Sequence, residues 1–249
     1  MSTALLLDGM GRWSWDMQLR RAHNLGHRSS EFDQRKLGFD DAALHRSLHG
    51  GPRGAVATLV EHLRAHVLAA KPAVDYEVVL VGHSIGTVVM NDLLKRELAE
   101  DADRRLPITD IVYLGAAASI RETAEAIVPY LRRRPESRFH LLTLHPSAEA
   151  DEYHPALVDI PPRGSLLEWI DHWYTRPPTH LDRRVGKWIN VTQALHVFRD
   201  VRDRVAVKAF DARDDLVPQK HGDFDEGPFW RRSYWSTGGP LAYPPPGDG

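Results

Sequence analysis

Val78-Val79-Leu80-Val81, then Gly82-His83-Ser84-Ile85-Gly86, then Thr87-Val88-Val89-Met90-Asn91-Asp92-Leu93-Leu94, is the stretch around which the rest of the chain can be organised. Four consecutive apolar residues ending at a glycine read as a buried strand, and the eight residues after Gly86 are compatible with a helix. Between the two the chain must reverse sharply. Glycines two positions to either side of Ser84 leave room for that reversal, which would lift the serine hydroxyl above the end of a sheet.

Working outward, a helix is expected over 55–70, where Val56, Leu59, Val60, Leu63 and Val67 recur on one face. Downstream, Ile108 to Leu114 reads as a strand, Glu122 to Arg134 as a helix, Phe139 to Leu144 as a strand and Val205 to Phe210 as the last strand. Phe229 to Trp235 is expected to pack a terminal helix or turn onto the sheet. Upstream, Ala4 to Leu7 reads as a buried strand ending at Asp8-Gly9-Met10-Gly11, followed by a helix over Trp15 to Leu25. Gly26 to Arg35 holds Phe32 as its only large apolar residue and reads as a loop. Such alternation implies an α/β protein with a mainly parallel sheet and helices on both faces. Between Tyr153 and Asp203 lies an insertion broken by Pro161-Pro162 and Pro177-Pro178. Its Trp169, Trp173, Tyr174 and Trp188 could roof a site or pack the insertion onto the core. The expected organisation is one domain over 1–237, with 153–203 as insertion and candidate lid, and a flexible tail over 238–249.

The 249 residues carry 32 Lys+Arg against 34 Asp+Glu, a balance that leaves no electrostatic footprint for nucleic acid or an anionic membrane and favours a small-molecule partner. Arg132-Arg133-Arg134 precedes Pro135 and reads as the cationic end of a helix. Cysteine is absent, which excludes disulfides, thiolate catalysis and sulfur-ligated metal. Met1-Ser2-Thr3 has no positive charge and no run of about 18 apolar residues occurs, so a soluble, cytoplasmic protein without a stable membrane anchor is expected. His62 and His66 are four apart but lack the glutamate of a His-Glu-x-x-His helix, and they read, like His45 and His49, as bystanders. No metal or cofactor is expected.

In this order the motifs resemble the α/β-hydrolase superfamily of serine esterases and lipases. Leu6-Leu7-Asp8-Gly9-Met10-Gly11 resembles that family's strand and His-Gly-x-Gly oxyanion loop, with Asp8 in place of the histidine. Leu25 to Arg35 is similar to the strand after its first helix, Gly82 to Gly86 to its serine elbow, and His221-Gly222-Asp223-Phe224 to the segment bearing its general base. The chain starts at what would be the family's third strand. The resemblance therefore implies a reduced α/β-hydrolase fold of about six strands, with the helical insertion before the last.

A serine hydroxyl is a weak nucleophile near neutral pH and needs a base within hydrogen-bond reach. Of 14 histidines the resemblance points to His221. His196 is the rival, but it sits in the helix-like run Val191 to Phe198, and His83 is expected to pack or hydrogen-bond locally. The carboxylate is expected after the strand before the last, where Glu149 is the first choice and Asp151 the second. Asp214 or Asp215, ahead of Val217-Pro218, is a further alternative. Backbone N–H groups of Ile85 and Met10 are the expected oxyanion donors. The resulting expectation is a serine hydrolase cleaving a carboxylic ester through an acyl-enzyme. The alternatives are a non-catalytic hydrolase-like binding scaffold and a cofactor-free lyase or perhydrolase on the same fold.

Overall fold

A computed structural model describes residues 3–26, 54–152, 163–210, 218–236 and 242–243, with backbone alone for 3–10 and 242–243. The strands expected around the serine are present. β1 (Val78–His83), β2 (Ile108–Leu114), β3 (Arg138–Thr143) and β4 (Val205–Phe210) form a parallel sheet in the order β1-β2-β3-β4. A two-residue β5 (Ala242–Tyr243) adds antiparallel to Ala209 and Phe210, so two residues of the segment expected to be a flexible tail join the sheet. About six strands were expected. Among the described residues there are four parallel strands, and β1 is an edge strand, which is why most of it is only half-buried.

The helices are α1 (Thr3–Leu25), α2 (Ala55–Ala70), α3 (Gly86–Ala99), α4 (Ile120–Arg133) and α5 (Pro146–Asp151), followed by the short α6 (Leu166–Trp169) and α7 (Trp188–Thr192). α8 (Asp223–Glu226) and α9 (Arg232–Trp235) come after β4. Helices lie on both faces of the sheet, as expected, but the long ones share one face. With strands in sequential order, crossovers of one hand all land on one side. α2, α3, α4 and the crossover before β4 accordingly bury Val60, Leu94, Ile127 and Phe198 against Ile111, Tyr113, Phe139, Leu141 and Val207. The opposite face, formed by Val112, Leu114, Leu142 and Phe210, is covered instead by Phe224, Phe229 and Trp235 from the chain after β4. No helix among the described residues is long and apolar enough to cross a membrane.

Local signals account for several boundaries. Ser119 and Glu122 form a reciprocal capping box at the start of α4, and the three arginines sit at its end. α2 has the expected bounds but a rotated buried face of Ala57, Val60, Arg64 and Val67, with Leu59 and Leu63 outside it. Arg64 can be buried because it pairs with the equally buried Glu97.

The expected strand at Ala4 to Leu7 and the loop after it are not formed, because both lie inside α1. A run of four apolar residues fits either period, and here it continues the helix that follows it. Gly11 is a packing residue of that helix, since a Cβ on it would fall 2.0 Å from the Tyr174 ring. α1 docks on the start of α3 and on the π-helical turn Ile170–Tyr174 through Trp15, Leu19 and Ala22. Of the insertion's aromatics, Trp169 and Trp188 are buried as packing. The loop expected over Gly26 to Arg35 lies outside the described residues beyond Gly26, as do His45, His49 and the first part of the insertion, 153–162.

Candidate active site

Ser84 follows β1 directly, and its φ of 51° puts it in the left-handed region that side-chain-bearing residues avoid at a cost of about 1–2 kcal/mol. Hydrogen bonds from several directions hold it there. The Ser84 N–H donates to the Leu114 carbonyl at 3.1 Å, and the Ser84 carbonyl accepts from Ala117 N–H (3.1 Å), Thr87 N–H (3.2 Å) and the Thr87 hydroxyl (2.7 Å). The same hydroxyl accepts from Ala118 N–H at 3.2 Å, so the buried Thr87 ties the elbow to the end of β2. Of the flanking glycines, Gly82 is the tight one, with a Cβ there 3.0 Å from Met90. Gly86 faces open space, so crowding within the chain does not require it.

The imidazole of His221 closes the site. Its Nε2 lies 2.9 Å from Ser84 Oγ, a hydrogen bond between residues 137 apart in sequence. The ring fits because Gly115 carries no side chain. Gly115 has φ +47°, and a Cβ there would come 3.1 Å from His221 Nδ1. The main-chain N–H of His221 donates to Glu152 Oε2 at 2.9 Å. The rival His196 is exposed on the 3-10 helix Leu195–Arg204. His62 and His66 are exposed on α2, and His66 meets the Tyr76 hydroxyl at 3.0 Å. Another buried pair, His140 with Asp110 at 2.9 Å, belongs to the opposite end of the strands from Ser84.

The carboxylates are distributed differently from the expectation. Glu149 is buried in α5 and accepts from the Ser165 hydroxyl, while Asp151 is exposed at the last position of that helix. The carboxylate that reaches His221 is Glu152, one residue further on and itself buried. Only its place directly behind the two expected acids pointed to it. Asp214 and Asp215 lie outside the described residues. Met10 does not stand in a loop after a strand. It is inside α1, where a backbone N–H serves the carbonyl four residues back. Ile85, by contrast, opens α3, where the first amides have no acceptor in their own helix.

Behind the elbow lies a charged layer that sequence patterning did not suggest. The Ala117 carbonyl accepts from Arg184 Nη1 at 3.0 Å, and Arg184 Nε is 3.4 Å from Asp171, which also accepts from Arg184 N–H and Asn190. Burial pushes the Asp171 carboxyl up and the Arg184 guanidinium down, and each group's charge works against the other's shift. Lys187 pairs with Glu168 and is lowered by burial. Burial also raises Glu149 to about 7, against the opposing pull of Ser165 and Lys187.

That last value makes a stability prediction with a definite sign. A carboxyl whose folded pKa lies above the unfolded one binds an extra proton in the folded state. Its contribution is complete below pH 4.5 and is lost as pH rises through about 7, a swing on the order of 3 kcal/mol. Glu149→Gln should therefore unfold at a temperature that gains on the wild type between pH 5 and 7.5, and parallel curves across that range would show the carboxyl already ionised.

No protein-family model matches the chain, and no curated protein or solved structure matches it.

Proposed function

We propose that the chain is a serine hydrolase of carboxylic esters, on a reduced form of the α/β-hydrolase plan. The observation that carries the reading is the Ser84 Oγ to His221 Nε2 contact of 2.9 Å, made by a serine held at positive φ directly after a parallel strand. In this reading Nε2 takes the serine proton as Oγ attacks the acyl carbonyl, and returns it to the leaving alcohol. The resulting acyl-enzyme is cleared by water activated at the same nitrogen. Negative charge developing on the carbonyl oxygen is met by the Ile85 N–H and the positive end of α3. We assign Glu152, in preference to Glu149 or Asp151, as the carboxylate that serves the base, because it accepts the His221 main-chain N–H and so fixes the backbone that carries the imidazole.

A fluorophosphonate tests the reading, since it phosphonylates only a serine activated by a base. One probe per chain at Ser84 supports it. Folded protein that stays unlabelled at neutral pH overturns it in favour of a ligand-binding scaffold. A chain-length series of p-nitrophenyl esters then separates an esterase from a lipase.

The carboxylate assignment makes a separate prediction. Glu152→Ala, which removes the acceptor of the His221 main-chain N–H, is expected to lower turnover of a p-nitrophenyl ester on the order of tenfold. Asp151→Asn, at an exposed position, should stay within about twofold of wild type, because a solvated carboxylate adds little. Full activity in Glu152→Ala, with the loss in Glu149→Gln or Asp151→Asn instead, would move the role to one of those residues.

A further inference from the structure

We propose that His83, the residue immediately before the serine, is a positioning residue that clamps the main chain of His221 together with Asp225. The inference rests on the reading of Ser84 and His221 as nucleophile and base. His83 ends β1, and alternation along the strand puts its side chain on the same face as Val79 and Val81, the face covered by the chain after β4. There its Nε2 is 3.1 Å from the His221 carbonyl oxygen and its Nδ1 is 2.7 Å from Asp225 Oδ1. A carbonyl and an ionised carboxylate can only accept, so both ring nitrogens of His83 are the donors in this pair of contacts. The His83 ring lies 4.9 Å, centroid to centroid, from the His221 ring and 5.7 Å from Phe224.

The need for such a clamp follows from where the base sits. His221 is in neither a helix nor a strand, and α8 begins only at Asp223. Its main-chain N–H is held by Glu152 at the end of α5 and its carbonyl by His83 at the end of β1. Two rigid elements thus grip the same residue through its two flanking peptide groups, and Asp225 returns from α8 to fix the ring that does the gripping. Small displacements of a base from its nucleophile are costly in rate, so a contact that touches no substrate can still govern the reaction. A ring that only filled space beside Phe224 would be replaceable by any side chain of similar size, whereas a clamp depends on where the donor sits.

The rate of Ser84 phosphonylation in the full chain, read by intact-mass spectrometry, distinguishes the two. A glutamine amide places its N–H where Nε2–H stands, whereas an asparagine amide reaches only the Nδ1 position. His83→Ala and His83→Asn are expected to slow labelling on the order of tenfold, with His83→Gln within about threefold of wild type and Asp225→Asn between them. Thermal unfolding run in parallel separates loss of fold from loss of position. The inference is overturned if His83→Ala reacts as fast as wild type, or if Gln and Asn are equally slow at equal unfolding temperature. A wild type that takes no label defeats the hydrolase reading instead. The clamp is then judged without any reaction, by a slowly exchanging Nε2–H of His83 in ¹H–¹⁵N spectra, whose absence overturns it.

Discussion

His221→Ala is expected to lower kcat/KM for a p-nitrophenyl ester by about 10⁴-fold or more, with KM little changed. The substitution removes the group 2.9 Å from Ser84 Oγ and leaves the elbow's own hydrogen bonds, all made by main chain and Thr87, in place. Nucleophile and base act as one unit, so Ser84→Ala with His221→Ala should be no slower than either alone. Circular dichroism on the same samples checks the fold. A loss under tenfold, or two losses that multiply in the double variant, would mean that the two side chains do not share one proton.

The second large effect is on stability. Gly186→Ala is expected to cost about 3 kcal/mol, a fall of about 6–12 °C in Tm for a chain of this size. A Cβ at Gly186 would lie 2.1 Å from Ala116 N, 2.4 Å from its carbonyl oxygen and 2.6 Å from Gly115 C. All three are main-chain atoms and cannot rotate away. The clash would also strain the hydrogen bond from Gly186 N–H to the Ala116 carbonyl (2.9 Å) and move Gly115, against which the His221 ring lies. Gly222→Ala is the control, since that glycine has helical φ and ψ and open space within 4 Å, and its Tm should not fall. Equal Tm changes for the two variants would show that chain 183–187 does not press on the end of β2.

The run Gly115-Ala116-Ala117-Ala118 explains why the site was only partly readable beforehand. These four residues carry no reactive group, yet three chain segments meet on them. Gly115 accommodates the imidazole, Ala117 N–H supports the serine carbonyl, and Ala116 and Ala118 receive the returning chain at Gly186 and Val185. Their small size matters only because of what comes back from far along the sequence. The same holds for Glu152. Spacing along the chain placed an acid after β3, but which of three neighbouring carboxylates meets His221 depends on how α5 ends against the loop carrying it.

By itself the sequence determined the local events. A branched apolar run ending at a glycine made β1, the Gly82 to Gly86 spacing made the turn, the three later apolar runs made the remaining parallel strands, and Ser119 with Glu122 capped α4. These depend on neighbours within a few residues, where propensity and periodicity act directly. Tertiary structure alone decided that Ala4 to Leu7 is helical, that the crossovers share one face, and that His221 and Glu152 reach the serine's neighbourhood. A four-residue apolar run satisfies both periods until packing selects one, and a contact across 137 residues is set by the sheet's strand order, which short-range pattern does not encode.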